Sequence, residues 1–408
     1  MTKSSAFTVL AHRDFRYYLA ARFLSTFAMM MVGVAVGWQV YDLTKDPMAL
    51  GIVGLVQFVP AFLLTLPGGL ASDRFDRRRV LLFGFSMEFI VALTLLIVTL
   101  SENPPIGVIF GILVLVGVGR AFLSPASQSL VPFLVPQGDF PRAVAWASSV
   151  FQGACIAGPA VGGLLYALGP DWVYGTATVL IFASSLMILS LRTKLVVHNP
   201  SATGLRALFT GVHFVFERKM ILGAVSLDLF AVLFGGATAL LPVFASDMLH
   251  TGPWGLGLLR SAPAVGAGIM ALVLAHHPIH EKAGKRLFTC VALFGLFTIA
   301  FGLSRSFWVS LLVLGGLGAV DMVSVVVRQT LVQMATPDEM RGRVSAVNML
   351  FIGASNELGE FESGVTAAWF GPVPAVILGG LGTLAVVGLW SWWFPSLRKM
   401  DRLDSNNA

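Results

Sequence analysis

A chain of 408 residues that is 56% hydrophobic and 12% charged, with a mean hydropathy of +0.82, lies outside the range of soluble domains and is read as a polytopic membrane protein. Its net charge of +6 requires no nucleic-acid partner. Its two cysteines, Cys155 and Cys290, fall inside apolar runs and suggest neither a disulfide framework nor a metal site nor a cofactor. The 43 glycines and 20 prolines would damage soluble helices, but membrane helices tolerate them because small residues permit close packing and neighbours re-satisfy freed backbone groups.

In chain order, about twelve apolar runs of roughly 17 to 25 residues, each long enough to cross a ~30 Å core, fall at 22–40, 50–71, 80–100, 106–122, 144–168, 174–191, 221–245, 256–275, 287–303, 308–327, 344–370 and 373–394. The first has Arg13, Arg16 and Arg22 at its flank and no convincing cleavage site after it, so it is kept as a helix and not as a signal peptide. Most Lys and Arg residues lie in alternate loops, counting Arg328 among those at the membrane surface, whereas the opposite loops hold only Lys45 and Arg305. That asymmetry places both termini in the cytoplasm. The one long polar connection, 192–219, separates an N-terminal group of six spans (1–191) from a C-terminal group (220–408). Within it Leu205, Leu208, Phe209, Val212 and Phe216 recur at helical spacing beside Arg206, Glu217 and Arg218, as in a helix lying in the cytoplasmic interface; a disordered linker is the alternative.

The halves repeat. Gln128, Leu130, Val131, Pro136, Arg142 and Ala145 recur 201 positions later as Gln329, Leu331, Val332, Pro337, Arg343 and Ala346, and a shift of 208 lays Glu281, Lys282, Lys285 and Arg286 over Asp73, Arg74, Arg77 and Arg78. Parallel halves of this kind are an architecture in which rocking about a central site gives alternating access.

Between the second and third spans stand Gly69, Asp73, Arg74, Asp76, Arg77, Arg78 and Arg79, a turn too charged for hydrocarbon. The arginines hold it at the phosphate layer and suffice to fix topology, while Asp73 adds nothing to a positive-inside signal and points to a gate. A glycine, an aspartate four residues on, then a basic residue and a basic pair resembles the motif at this place in the major facilitator superfamily. The resemblance implies that Asp73 pins the second helix to the eleventh when the cytoplasmic side is closed. Asp76 departs from the pattern, which usually has glycine there, so the turn geometry is open.

In the fifth span Gly158-Pro159-Ala160-Val161-Gly162-Gly163 resembles the family's antiporter signature, which marks exporters. Ala154, Gly158 and Gly162 form one small face that lets another helix approach, and Pro159 predicts a kink; generic tight packing is the plainer reading. The eleventh span keeps a small face in Ser355, Gly359 and Ser363 but carries Asn356, Glu357, Glu360 and Glu362. Carboxylates there must face the bundle interior, take protons or pair; Glu362 lies nearer the surface, with Arg260 as its expected partner. A layer of Arg22, Glu88 and Arg120 in the first half and Asp228 and Asp321 in the second completes the intramembrane charges. Glu88 is expected to pair with one of the arginines, whereas Asp228 and Asp321 have no evident basic partner at their depth. His276, His277 and His280 read as a solvated loop rather than a metal site.

The segments Arg120-Ala-Phe-Leu-Ser-Pro-Ala and Pro337-Asp-Glu-Met-Arg-Gly-Arg, with Leu240-Leu-Pro, are similar to the drug:proton antiporter branch that holds the enterobactin exporter and macrolide efflux proteins. The expected fold is an all-α membrane protein of twelve transmembrane helices in two pseudo-symmetric six-helix bundles. The expected activity is proton-coupled export of an amphipathic small molecule, a drug or siderophore, by a monomer in the bacterial inner membrane. Asp228, Asp321, Glu357 and Glu360 are the candidate proton carriers. A metabolite importer or facilitator is the alternative within transport. A membrane-embedded acyltransferase would need a nucleophile in a polar site, and no arrangement of Ser, His and Asp of that kind stands out.

Overall fold

The computed structural model describes residues 8–101, 104–193, 205–277, 279, 281–337 and 340–401, without the side chains of Asp73 and of residues 205–209. Every long element is a helix: α1 (Arg13–Thr44), α2 (Pro47–Arg74), α3 (Arg77–Thr99), α4 (Ile106–Leu134), α5 (Phe140–Tyr166) and α6 (Pro170–Leu189) precede the amphipathic α7 (Leu205–Glu217). Then α8 (Lys219–Phe234) leads through a 3-10 turn and the single-turn α9 (Leu241–Val243) into a π-helical turn. The chain ends with α10 (Gly252–His276), α11 (Ala283–Leu303), α12 (Phe307–Met334), α13 (Arg341–Phe370), α14 (Pro372–Trp393) and the short α15 (Pro395–Arg398).

Among the described residues, 11 helical segments are long and apolar enough to cross a membrane. The expected eleventh span is the exception: α13 runs for 30 residues, ample for a bilayer, but Glu357, Glu360 and Glu362 dilute its apolar character. Pro60, Pro67, Pro125, Pro132, Pro159 and Pro263 stand inside helices, each freeing a backbone carbonyl that neighbouring groups or local changes of helix geometry must re-satisfy in a membrane span.

The chain divides into two compact units. The first comprises Met1–Gln39 and Val56–Ala202. Its core gathers Phe15, Tyr18, Leu81, Leu130, Val131 and Ile188, and α3 packs on both α4 and α6. Glycines set the closest approaches: a Cβ on Gly68 would lie 2.2 Å from the Ala121 carbonyl oxygen, and one on Gly117 would lie 2.1 Å from that of Gln57, so α2 and α4 cross at two points where only glycine fits.

The second unit comprises Val40–Leu55 and Thr203–Ala408. Here α10 packs on α12 through Gly266 and Gly318, and α11 packs on α12 and α14. The segment 40–55 belongs to this unit because Gly51 meets Phe361 and Gly364 of α13, and the Tyr41 hydroxyl donates to Asp247 at 2.5 Å. The α7 helix docks on α13 and α8 through Gly211 and the fully buried Val215, while Phe216 is 57% exposed. The close approach of Gly211 to the Arg343 carbonyl turns Val215 inward and leaves Phe216 on the outward face.

Candidate transport site

Within the second unit the polar groups collect around a broken helix. After Phe234 the chain passes Gly235 and Gly236, takes a 3-10 turn over Ala237–Leu240, and ends in π geometry over Phe244–Met248. The break is dictated by packing: a Cβ on Gly236 would sit 2.4 Å from the Gly359 carbonyl oxygen and 2.7 Å from Ser363 Oγ, while one on Gly359 would meet the Leu233 carbonyl at 2.9 Å. The two backbones therefore touch at the expected small face of α13. Discontinuous membrane helices and π turns release backbone groups from the regular ladder, and transporters use such groups at substrate and ion sites.

Nearly two turns before the break, Asp228 pairs with Arg328. This corrects the expectation that Asp228 lacks a basic partner and that Arg328 lies at the surface. The α12 helix continues to Met334, which carries Arg328 about 9 Å inward from the helix end at ~1.5 Å per residue. Arg328 is 2% exposed and Asp228 7%, so each is the other's main compensation for leaving water. Asp321 lies two turns along α12 from Arg328. With Asp228, Ser324 and Cys290 it lines a cavity of about 10 Å³, the scale of one water position. Asp228 thus belongs both to the ion pair with Arg328 and to the cavity that Asp321 lines.

Two glutamates of α13 lie against α2. A Cβ on Gly54 would fall 3.0 Å from Oε2 of Glu360 and 3.2 Å from the Glu357 carbonyl oxygen, so both glutamates stand against the glycine face of α2. Glu362 accepts a hydrogen bond from Thr366 Oγ1 at 2.8 Å, one helical turn on.

In the first unit the charged turn serves the ends of helices. Asp76, the departure from the expected glycine, has φ −57° and caps α3 by accepting from the Arg78 amide at 2.9 Å. The Arg78 guanidinium donates to the Leu191 carbonyl at 2.9 Å and to the Leu189 carbonyl, closing the C-terminus of α6, and Arg77 lies 4.3 Å over the Phe133 ring. Arg74 is exposed. Gly69 has open space around its Cα; its neighbour Gly68 makes the close contact. The side chain of Asp73 lies outside the described residues.

The fifth-helix signature meets α1 closely. A Cβ on Gly158 would lie only 2.6 Å from Met30 Cβ, and one on Gly162 would be 2.7 Å from Met31 Cα, with Pro159 and Gly163 buried alongside. Glu88 accepts from Ser25 Oγ at 2.6 Å with Arg120 in Coulombic reach, while Arg22 donates to the Tyr18 hydroxyl at 3.3 Å and lies 5.7 Å over Phe151. Nothing in the sequence pattern singles out Ser25 as a partner. Nor does any periodicity signal the bond between Tyr41 and Asp247.

Comparison with known proteins adds a likeness over nearly the whole chain. The profile of the MFS family described as transmembrane secretion effector matches residues 4–408. Enterobactin exporter EntS of Citrobacter koseri is 26% identical over 385 residues, covering 93% of this chain and 91% of that protein. EntS of Shigella boydii is likewise 26% identical over 385 residues, with 92% and 90% covered. Among solved structures, a POT family transporter in complex with a thioalcohol-conjugated peptide superposes with a TM-score of 0.74 at 13% identity, covering 94% of this chain and 96% of that one. A mutant of the nucleoside transporter NupG gives 0.72 at 14% identity, with 93% and 100% covered. These two likenesses are of fold.

Proposed function

Because the chain belongs to the transmembrane secretion effector family of the major facilitator transporters, we propose that it is a proton-coupled exporter of an amphipathic small molecule, a siderophore or drug. It is a membrane-embedded secondary transporter of a small solute and not an enzyme. On this reading α13 is a twelfth span, the two six-helix bundles are 1–191 and 220–408 joined by 192–219, and both termini are cytoplasmic in a bacterial inner membrane. Export and the cargo class are supported by the enterobactin exporters' similarity and by the glycine signature of α5.

The observation that carries the coupling is the cavity lined by Asp321 and by Asp228, the latter paired with Arg328. Arg328 compensates Asp228, so Asp321 is the carboxylate best placed to be loaded and unloaded, with Glu360, Glu357 and Asp228 following. A carboxylate enclosed away from bulk water favours its neutral form, and rocking of the bundles would expose it to each side in turn. One proton entering down 100 mV supplies ~2.3 kcal/mol, enough for roughly a 50-fold gradient of a neutral cargo.

The test is transport in liposomes of purified protein under an imposed pH gradient, with enterobactin and a cationic dye as probes. Wild-type protein should concentrate one of them uphill. Asp321→Asn should lose uphill movement yet retain cargo exchange, which needs no net proton. Uphill transport by Asp321→Asn at the wild-type pH dependence would remove Asp321 from the role, and gradient-independent equilibration by the wild type would make the protein a facilitator.

A further inference from the structure

The connection between α10 and α11 concentrates positive charge. Lys282, Lys285 and Arg286 are spaced i, i+3 and i+4, so they share one side of the start of α11, where like charges repel and the positive end of the helix adds to the repulsion. No acidic residue stands in the first turn of α11. Among the described residues these three cations form no ion pair and no side-chain hydrogen bond. Glu281, the preceding residue, and Asp401, whose backbone carbonyl meets the start of α11, are exposed and likewise unpaired there. The first amides of α11 are already satisfied: Ala283 donates to the Asp401 carbonyl at 3.3 Å and Gly284 to the Met400 carbonyl at 2.9 Å. The charge is therefore presented by side chains and not by a bare helix end. Lys282 itself holds a left-handed backbone, φ 55°, which is uncommon for a residue with a Cβ.

These cations line a pocket of about 350 Å³, together with His277, Thr289 and Val323. Its flanks are apolar and outward-facing. Leu293 and Leu296 continue the Thr289 face of α11 at four and seven residues and are 37% and 50% exposed, and on α10 Ile269 and Leu272 are 60% and 67% exposed. A soluble anion would match the cations and leave the apolar flanks without purpose. A lipid matches both, since basic pockets between membrane helices suit phosphate headgroups and acyl chains cover the apolar face.

We propose that this pocket binds the headgroup of an anionic glycerophospholipid, its phosphate between Lys282, Lys285 and Arg286 and its chains along Leu293 and Leu296. Only the leaflet rests on the topology proposed above, under which it is cytoplasmic; the binding does not depend on export or proton coupling.

The experiment uses the full chain purified in detergent, titrated with dioctanoyl phosphatidylglycerol, dioctanoyl phosphatidylcholine or inorganic phosphate. Bound lipid is counted by native mass spectrometry, and the unfolding midpoint is read by scanning fluorimetry. At ~1 kcal/mol for each basic residue, the combined Lys282→Gln, Lys285→Gln, Arg286→Gln variant should bind phosphatidylglycerol about 100-fold more weakly than wild type and retain one lipid fewer. Without lipid the variant should unfold no earlier than wild type, because like-charge repulsion is relieved; with phosphatidylglycerol the wild type should gain midpoint that the variant does not. A Lys282→Arg, Lys285→Arg variant, which keeps the charge, should bind as wild type. Equal gain by wild type and the neutral variant, equal gain with phosphatidylcholine, loss of binding in the charge-retaining variant, or displacement of the lipid by equimolar inorganic phosphate would each overturn the proposal.

Discussion

Removing either member of the Asp228–Arg328 pair should be far more damaging than removing both. With Arg328 2% and Asp228 7% exposed, Arg328→Met leaves a carboxylate and Asp228→Leu leaves a guanidinium in a site that water barely reaches. Breaking a buried pair in this way costs ~3–5 kcal/mol, whereas replacing both partners with apolar residues of similar volume is often neutral. The double variant Asp228→Leu, Arg328→Met should therefore lie within about 1–2 kcal/mol of wild type, giving a coupling energy of several kcal/mol in a double-mutant cycle. Asp321 sharpens the expectation, because Arg328→Met leaves two carboxylates around one small cavity and should be the worse single change. The assay is reversible unfolding of the purified protein in mixed micelles, read by tryptophan fluorescence. Additive single and double effects would refute the pair as the element that holds α8 to α12.

Gly158→Leu should stall transport and lower the unfolding midpoint by the equivalent of ~1–3 kcal/mol or more, because the new side chain meets Met30 and the Phe27 carbonyl, while the half-buried Cys155→Ala should be tolerated; equal effects would remove the special part of that face. Tyr41→Phe should cost ~0.5–1.5 kcal/mol, since the exposed Asp247 can replace the lost donor with water, and an unchanged midpoint would refute that bond. Single cysteines at Arg79 and Lys282 should resist an impermeant thiol reagent added outside intact cells while one at Lys45 reacts; uniform labelling would overturn the proposed topology.

Much of this arrangement is legible in the sequence because membrane spans write their length in apolar runs and their small faces in glycine spacing. The spacing of Ala154, Gly158 and Gly162 announces a close approach, and the structure supplies the partner, α1. Other features depend on where a helix stops. Arg328 looks superficial in the sequence because the apolar run ends just before it, yet the helix carries on for six more residues and draws the side chain inward. The motif glycine falls at Gly69, while the contact is made by Gly68, because a helix rotates ~100° per residue and a family pattern does not give the partner's direction. The cap at Asp76 is accessible from capping rules alone: an aspartate just before a helix has its acceptor next to free amides. The bond from Tyr41 to Asp247 joins residues 206 apart and has no local signature.

The least apolar long helix and the broken helix stand against each other, and each explains how the other is tolerated. α13 carries three glutamates and is poorly suited to lipid on its own, while α8 stops at Gly235 and leaves backbone groups that hydrocarbon cannot satisfy. Their contact runs through Gly236, Gly359 and Ser363, residues small enough for the two backbones to meet, so the irregular backbone is covered by protein at the point where it departs from helix. Thr383 strengthens the same region, donating from α14 to the Ala231 carbonyl at 3.0 Å. Polar residues placed without such cover would be expelled from a membrane helix or would prevent its insertion. Glu357 and Glu360 stand against Gly54 of α2 while Gly359 and Ser363 meet the break in α8, so α13 is covered by protein on both of these faces, and its polar residues there are spared contact with hydrocarbon.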